Sequence, residues 1–178
     1  WKMPGYRVNQ IWQGLYRQLW QSEDEFTTLP SQLRSEIFQN QSIYTLSPKK
    51  SIHSTDGKTV KVLFSLPDHS AIETVLMRYS QRNTVCISTQ VGCPVGCVFC
   101  ATGQMGFHRN LTSGEIIQQV LYFTHQLQQE GEKLTNVVLM GMGEPFLNYK
   151  NSMKAISCLT DMQGFAMGER RFTVSTVG

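Results

Sequence analysis

The chain has 178 residues, 40% of them apolar and 16% charged, with a formal net charge of +3. That suits one globular domain, or one domain with a small appendage, and the mild basic balance is compatible with RNA without being a basic patch. No apolar run approaches the roughly 20 residues that span a bilayer, no signal-peptide pattern follows Trp1, and five cysteines are too few for a disulfide framework, so a reducing, cytoplasmic setting without a membrane is expected.

Residues 1–48 read as a small helical region. Val8, Ile11, Trp12, Leu15, Tyr16 and Leu19 recur at helical spacing, and Leu29-Pro30-Ser31 opens a second short helix carrying Leu33, Ile37 and Phe38. Trp12, Tyr16 and Trp20 are read as core rather than as a base-stacking strip. Arg7, Arg17, Arg34, Lys49 and Lys50 are scattered, as on a solvated face. In residues 49–84, Ile52 to Phe64 reads as a hairpin turning at Asp56-Gly57, and Ala71–Met77 as a further strand. Glu73 sits in that strand among apolar neighbours, and from the residues alone it is structural.

Residues 85–178 alternate strand and helix. Val85–Ser88 is a strand. Thr112-Ser113-Gly114-Glu115 is a capping box that opens a helix with an apolar stripe from Ile116 to Leu127, stopped by Gly131. Val137–Met140 is an apolar strand of the kind covered on both faces. Asn148 or Asn151 opens another helix through Leu159, and Arg171–Thr176 is the last strand. The β-α-β-α-β order predicts an α/β fold with a parallel sheet and right-handed crossovers.

The chemistry concentrates where those strands end. Cys93-Pro-Val-Gly-Cys97-Val-Phe-Cys100 places three thiols at C-x3-C-x2-C spacing on a Gly/Pro-rich loop after the first strand. Cysteine thiolates are the usual ligands of a cubane iron–sulfur cluster, and three of them leave one iron open. A zinc site completed by His108 is the competing reading, though structural zinc prefers paired C-x2-C elements. After the second strand comes Gly141-Met-Gly143-Glu144-Pro145, and after the third Ser175-Thr-Val-Gly178. Glu144 offers a carboxylate to an ammonium group and Ser175 a hydroxyl to a polar ligand edge, at the sheet end where α/β folds bind ligands.

The cysteine spacing resembles the signature of radical S-adenosylmethionine enzymes. With Val85–Cys93, Phe107-His-Arg109-Asn110-Leu111-Thr112, Gly141–Asn148 and Val174–Gly178, the chain resembles the RlmN/Cfr family of RNA methyltransferases over nearly its whole length. The resemblance implies a partial (β/α) barrel of radical SAM type, ending after three strands and preceded by a small N-terminal helical accessory domain. It implies that Cys93, Cys97 and Cys100 hold a [4Fe-4S] cluster. Gly143, Glu144 and Ser175 would bind S-adenosyl-L-methionine, with Phe99 beside its adenine. Glu73 matches the proton acceptor. Cys86, otherwise a buried strand residue, matches the thiol that resolves a covalent RNA–enzyme intermediate by forming a disulfide.

The implied activity of the RlmN branch is methylation of C2 of an adenosine in 23S rRNA and in tRNA, through a methylated cysteine near the C-terminus. An electron donor such as flavodoxin would be a partner. The Cfr branch, acting at C8, and a non-catalytic module binding cluster and RNA are the alternatives. The methyl-carrying cysteine has no match here, since Cys158 lies in a helix outside every motif. The expectation is therefore an N-terminal fragment unable to complete turnover.

Overall fold

The computed structural model describes residues 4–40 and 43–178. In chain order the main elements are α1 (Gly5–Tyr16), α2 (Ser31–Asn40), β1 (Ser47–His53), β2 (Thr59–Ser65), β3 (Ala71–Tyr79), β4 (Arg82–Cys86) and β5 (Gln90–Gly92). They continue with α3 (Ala101–Gln104), β6 (Phe107–Asn110), α4 (Ser113–Gln129), β7 (Asn136–Leu139), α5 (Tyr149–Thr160) and β8 (Phe172–Val174). Six strands form one sheet in the order β1-β2-β3-β4-β7-β8. The β4-β7-β8 part is parallel, as the β-α-β-α-β pattern predicts. The β1-β2-β3 meander is antiparallel and joins the same sheet through β3–β4 pairing. The β1–β2 connection is longer than a two-residue turn: Gly57 takes φ +69°, and Asp56 accepts from the Ser54 hydroxyl at 2.6 Å.

Strand alternation decides which face is covered. Val60, Val62 and Phe64 of β2, Ile72 and Leu76 of β3, Val85 of β4, and Val137 and Leu139 of β7 are buried together. Against them pack Ile116, Val120, Phe123 and Leu127 of α4 with Ala155 and Leu159 of α5. Burying a side chain of this size contributes about 1.5–3 kcal/mol, so this layer is the main source of stability. The predicted capping box starts α4: the Thr112 hydroxyl accepts from the Glu115 N–H, and the Glu115 carboxylate accepts from the Thr112 N–H at 2.8 Å. Gly131, at φ +75°, follows its end.

The other sheet face is only partly covered. Val138 is half-buried there, so β7 alternates instead of being enclosed on both sides as its apolar run predicts. Lys61, Glu73, Val75 and Cys86 lie on that same face by strand register.

Residues 5–40 build a second, smaller cluster in which Phe26, Leu29 and Ile37 are buried against Ile11, Leu15, Trp20 and Phe38. Of the three aromatics read as core, Tyr16 and Trp20 are half-buried against the two clusters. The Trp12 and Tyr16 ring centroids lie 4.3 Å apart with their planes tilted by 42°, while Trp20 packs edge-on to Phe26. Tyr16 and Leu19 pack against the main cluster, and a side chain of α4 fastens the segment that follows α2. The Gln118 amide on α4 accepts from the N–H groups of Thr45 and Leu46 and donates to the Ile43 carbonyl. No helix of the described residues is long and apolar enough to cross a membrane.

Candidate active site at the strand ends

The cysteine loop is held at its two stems by a small sheet that periodicity does not reveal. β5 and β6 pair antiparallel, Gln90 opposite Asn110 and Val91 opposite Arg109, so residues 93–106 form a closed excursion. The Cys93 N–H donates to the Gly106 carbonyl at 3.0 Å. At Gly92, φ is +73° and a Cβ would collide with the Gly106 carbonyl oxygen, so closure of the loop demands glycine there. Inside the loop the Cys100 N–H donates to the Cys97 carbonyl, and the short helix α3 follows directly.

All five cysteines are free thiols, so the disulfide implied for Cys86 is not present. Cys93, Cys97 and Cys100 are each half-buried. The Gly103 N–H, helped by the N–H and hydroxyl of Thr102, outweighs desolvation and lowers the Cys100 thiol pKa, favouring the thiolate that ligates metal. Among the described residues, no three His, Cys, Asp or Glu side chains are already gathered tightly enough to hold a metal ion, and His108 does not complete such a set. The donors therefore fit an iron–sulfur cluster in kind and in chain spacing, without a preformed cage. Gathering anionic thiolates is unfavourable until a cation offsets them, and metal binding commonly supplies that ordering energy. Phe99, between the last two cysteines, is 89% exposed.

The second strand end is tied to the first by buried polar groups. Glu144, 6% exposed, donates its N–H to the Gln90 side-chain carbonyl at 2.8 Å, and Gln90 donates in turn to Asn110. Gly143, at φ +98°, lies against Gln90, where a Cβ would come within 2.5 Å of the Gln90 Cβ. The Glu144 carboxylate accepts from the Phe146 N–H at 3.0 Å on one oxygen and from the Val177 N–H at 3.1 Å on the other. Burial alone would raise its pKa, but these donors and the Thr176 hydroxyl outweigh burial and hold it below the ordinary carboxylate value. Glu144 thus stays anionic and joins the ends of β7 and β8, with lone pairs remaining for a ligand. Ser175, directly after β8, is exposed.

Glu73 and Cys86 share the open face of the sheet. Cys86 stands opposite Val75 in the β3–β4 pairing, so Glu73 is its diagonal neighbour. The Glu73 carboxylate pairs with Lys61 Nζ at 2.9 Å, both side chains about two-fifths exposed at 42% and 41%. Burial raises the Cys86 thiol pKa, opposed by a hydrogen bond to the Met140 backbone. Cys158 lies on α5 against the covered face and takes no part in this arrangement.

Several residues that position the site were not assigned that role by sequence reasoning. Gln119, fully buried, accepts from the Ser88 N–H and the Thr74 hydroxyl and donates to the Ser88 carbonyl, clasping the chain where it leaves β4. The Ser88 hydroxyl donates to the Glu73 carbonyl at 2.6 Å and accepts from the Met142 N–H. Asn148 precedes α5 as expected, yet its side chain does not cap that helix. Its amide donates to the carbonyls of Thr89 and Leu111 at 2.7 and 2.8 Å. The only sequence signal for Gln90 and Asn148 is their place inside the motif segments.

No family model matches the chain. It is 48% identical over 178 residues to the dual-specificity RNA methyltransferase RlmN 1 of Myxococcus xanthus, covering 100% of this chain and 50% of that protein. It is 45% identical over 183 residues to the ribosomal RNA large subunit methyltransferase N of Nitrosopumilus maritimus, covering 97% of this chain and 52% of the relative. A crystal structure of a radical SAM methyltransferase from Sphaerobacter thermophilus superimposes with a TM-score of 0.95 at 47% identity, over 99% of this chain and 52% of that one. The chain is thus similar over its whole length to RlmN-type methyltransferases and spans about half the length of these relatives.

Proposed function

We propose that this chain forms the cluster- and cofactor-binding platform of an RlmN-type radical SAM methyltransferase acting on C2 of adenosine in 23S rRNA and tRNA. The observation that carries this reading is the convergence of the cysteine loop, the Gly143-Glu144 turn and the Ser175–Gly178 segment at the carboxyl ends of three adjacent parallel strands. The likeness in sequence and fold to methyltransferases supports it. On this reading β4, β7 and β8 are the first strands of a partial (β/α) barrel, and residues 5–40 are its accessory domain.

Cys93, Cys97 and Cys100 would hold a [4Fe-4S] cluster, leaving one iron for S-adenosyl-L-methionine. Glu144 would take the cofactor's ammonium group, since it is anionic, buried and fixed at both oxygens by backbone donors. Gly143 would let the backbone approach the cofactor, Ser175 would offer a hydroxyl, and exposed Phe99 would cover the adenine. When bound, cluster and cofactor supply the one-electron chemistry that no side chain provides. Glu73 would accept a proton on the open face, its carboxylate oriented by Lys61. Cys86 would supply a thiol on that same face, kept in its neutral form by burial until called on. The substrate would be RNA, and a one-electron donor such as flavodoxin would reduce the cluster.

The test is electron paramagnetic resonance of the anaerobically reconstituted, reduced chain with and without S-adenosyl-L-methionine. A [4Fe-4S] signal that shifts on adding the cofactor is expected, and Glu144→Gln should weaken the response without removing the cluster. A cluster signal indifferent to the cofactor would contradict the proposal.

A further inference from the structure

A cavity of about 850 Å³ opens at the end of the sheet opposite the cysteine loop. Leu134 and Thr135 line it just before β7 begins, and Arg171 just before β8; the end of α1 and residues 162–168 form the other walls. Ligands of parallel sheets sit at the carboxyl ends of the strands, so this is a separate feature from the site above. Its size falls within the roughly 300–1,000 Å³ of small-molecule pockets.

The lining carries an unbalanced positive charge. Arg17, Lys133 and Arg171 all face the cavity, and none has a carboxylate within 4.0 Å among the described residues. The one acidic residue of the lining, Glu132, is already committed: it accepts from Arg78 at 3.1 Å and from the Asn83 amide at 2.8 Å. Neighbouring Glu130 pairs with the same Arg78 at 2.7 Å. Beside these cations the lining includes aromatic and apolar side chains. The Tyr16 ring is braced by Trp12, and Phe165 and Leu134 also line the space. Trp12 is itself fixed by Gly164, where a Cβ would come within 2.7 Å of the indole nitrogen.

We propose that this cavity binds a nucleoside phosphate, the phosphate held by Arg17, Lys133 and Arg171 and the base lying against the Tyr16–Phe165 wall. Guanidinium groups match phosphate oxygens in geometry and charge, and an aromatic wall accepts the π-face of a base. Inorganic phosphate would satisfy only the cations, so the wall sets the preference for a nucleotide. The nucleotide can be free or part of an RNA strand. The inference does not depend on the reading of the cysteine loop.

The experiment titrates the 178-residue chain with AMP, inorganic phosphate and a single-stranded oligoadenylate, following backbone amide shifts and heats of binding. AMP should saturate and move the amides of Gly131, Gly164 and Gly168, and inorganic phosphate should bind more weakly. The joint change Arg17→Gln with Arg171→Gln should weaken AMP at least about tenfold, since charged hydrogen bonds are the strong ones. Both side chains are exposed, so the circular dichroism should be unchanged. Oligoadenylate tighter than AMP at the same amides identifies an RNA strand as the source; AMP tighter than oligoadenylate identifies a free nucleotide. The proposal is overturned if none of the three moves those amides, or if the double variant binds AMP like the parent. Should that variant fail to fold, AMP binding to the parent must weaken steeply with added salt, and indifference to salt would equally overturn it.

Discussion

Cys100 and Cys86 are both half-buried thiols on the path from β4 to the cysteine loop, yet their surroundings drive them in opposite directions. Backbone donors from Gly103 and Thr102 stabilise the Cys100 thiolate, whereas burial in the strand disfavours that of Cys86. The thiolate is the reactive form, so iodoacetamide at pH 7.5 should alkylate Cys100 at least about tenfold faster than Cys86. Peptide mass spectrometry over a time course checks this, and equal rates would contradict it. The lowered Cys100 pKa suits its proposed role, since a metal ligand is needed as thiolate. The cysteine spacing and the Gly143-Glu144 turn were legible in the sequence, because both signals lie within a few consecutive residues. Gln119, Ser88 and Asn148 were not, because their hydrogen bonds join positions from 15 to 59 residues apart. A polar residue has no readable role until folding places its partner.

At the scale of elements, one cation locks three segments together. Arg109 on β6 pairs with Asp68 in the β2–β3 turn at 2.5 Å and forks onto both oxygens of Glu115 at 2.8 and 3.0 Å. Glu115 is also the capping residue of α4, so the β5–β6 stem of the cysteine loop is fixed to the helix that covers the sheet. Burial would raise the Glu115 pKa, but the Arg109 and Thr112 hydrogen bonds outweigh it; Asp68 is lowered chiefly by Arg109. Both carboxylates are therefore depressed. Their stabilisation is fully present above the ordinary carboxylate pKa of about 4 and is lost as pH falls through the lowered values. Arg109→Met should cost about 1–3 kcal/mol at pH 7, mainly by stranding the 8%-exposed Glu115 side chain. The difference from the parent should shrink steadily below about pH 4. Urea denaturation across pH checks this, and a gap independent of pH would contradict it. Helices α1, α2, α4 and α5, the α4 cap and the parallel strands were legible from periodicity and from the Thr112–Glu115 pattern. The β5–β6 pairing was not, since strands of three and four residues are too short to show a period.

The whole molecule is a sheet with one face sealed by α4 and α5 and the other presenting Lys61, Glu73 and Cys86. The alternation of β2 and β3 made the sealed face legible. The continuation of β1-β2-β3 into the parallel strands was not, because strand adjacency depends on pairing across the chain. With carboxyl strand ends gathered at one edge and a cationic cavity at the other, the fold separates two regions of different chemistry. On the proposed reading, the three thiols on the loop after β4 would hold an iron–sulfur cluster at the first of these. The most direct test is metal and sulfide analysis of the anaerobically reconstituted chain beside its Cys93→Ala, Cys97→Ala and Cys100→Ala variants. The account predicts about four irons and four sulfides per chain, as in a cubane cluster, with stable loading lost in each variant and retained in Cys158→Ala. Tight zinc binding without sulfide, or full iron loading in any of the three loop variants, would contradict it.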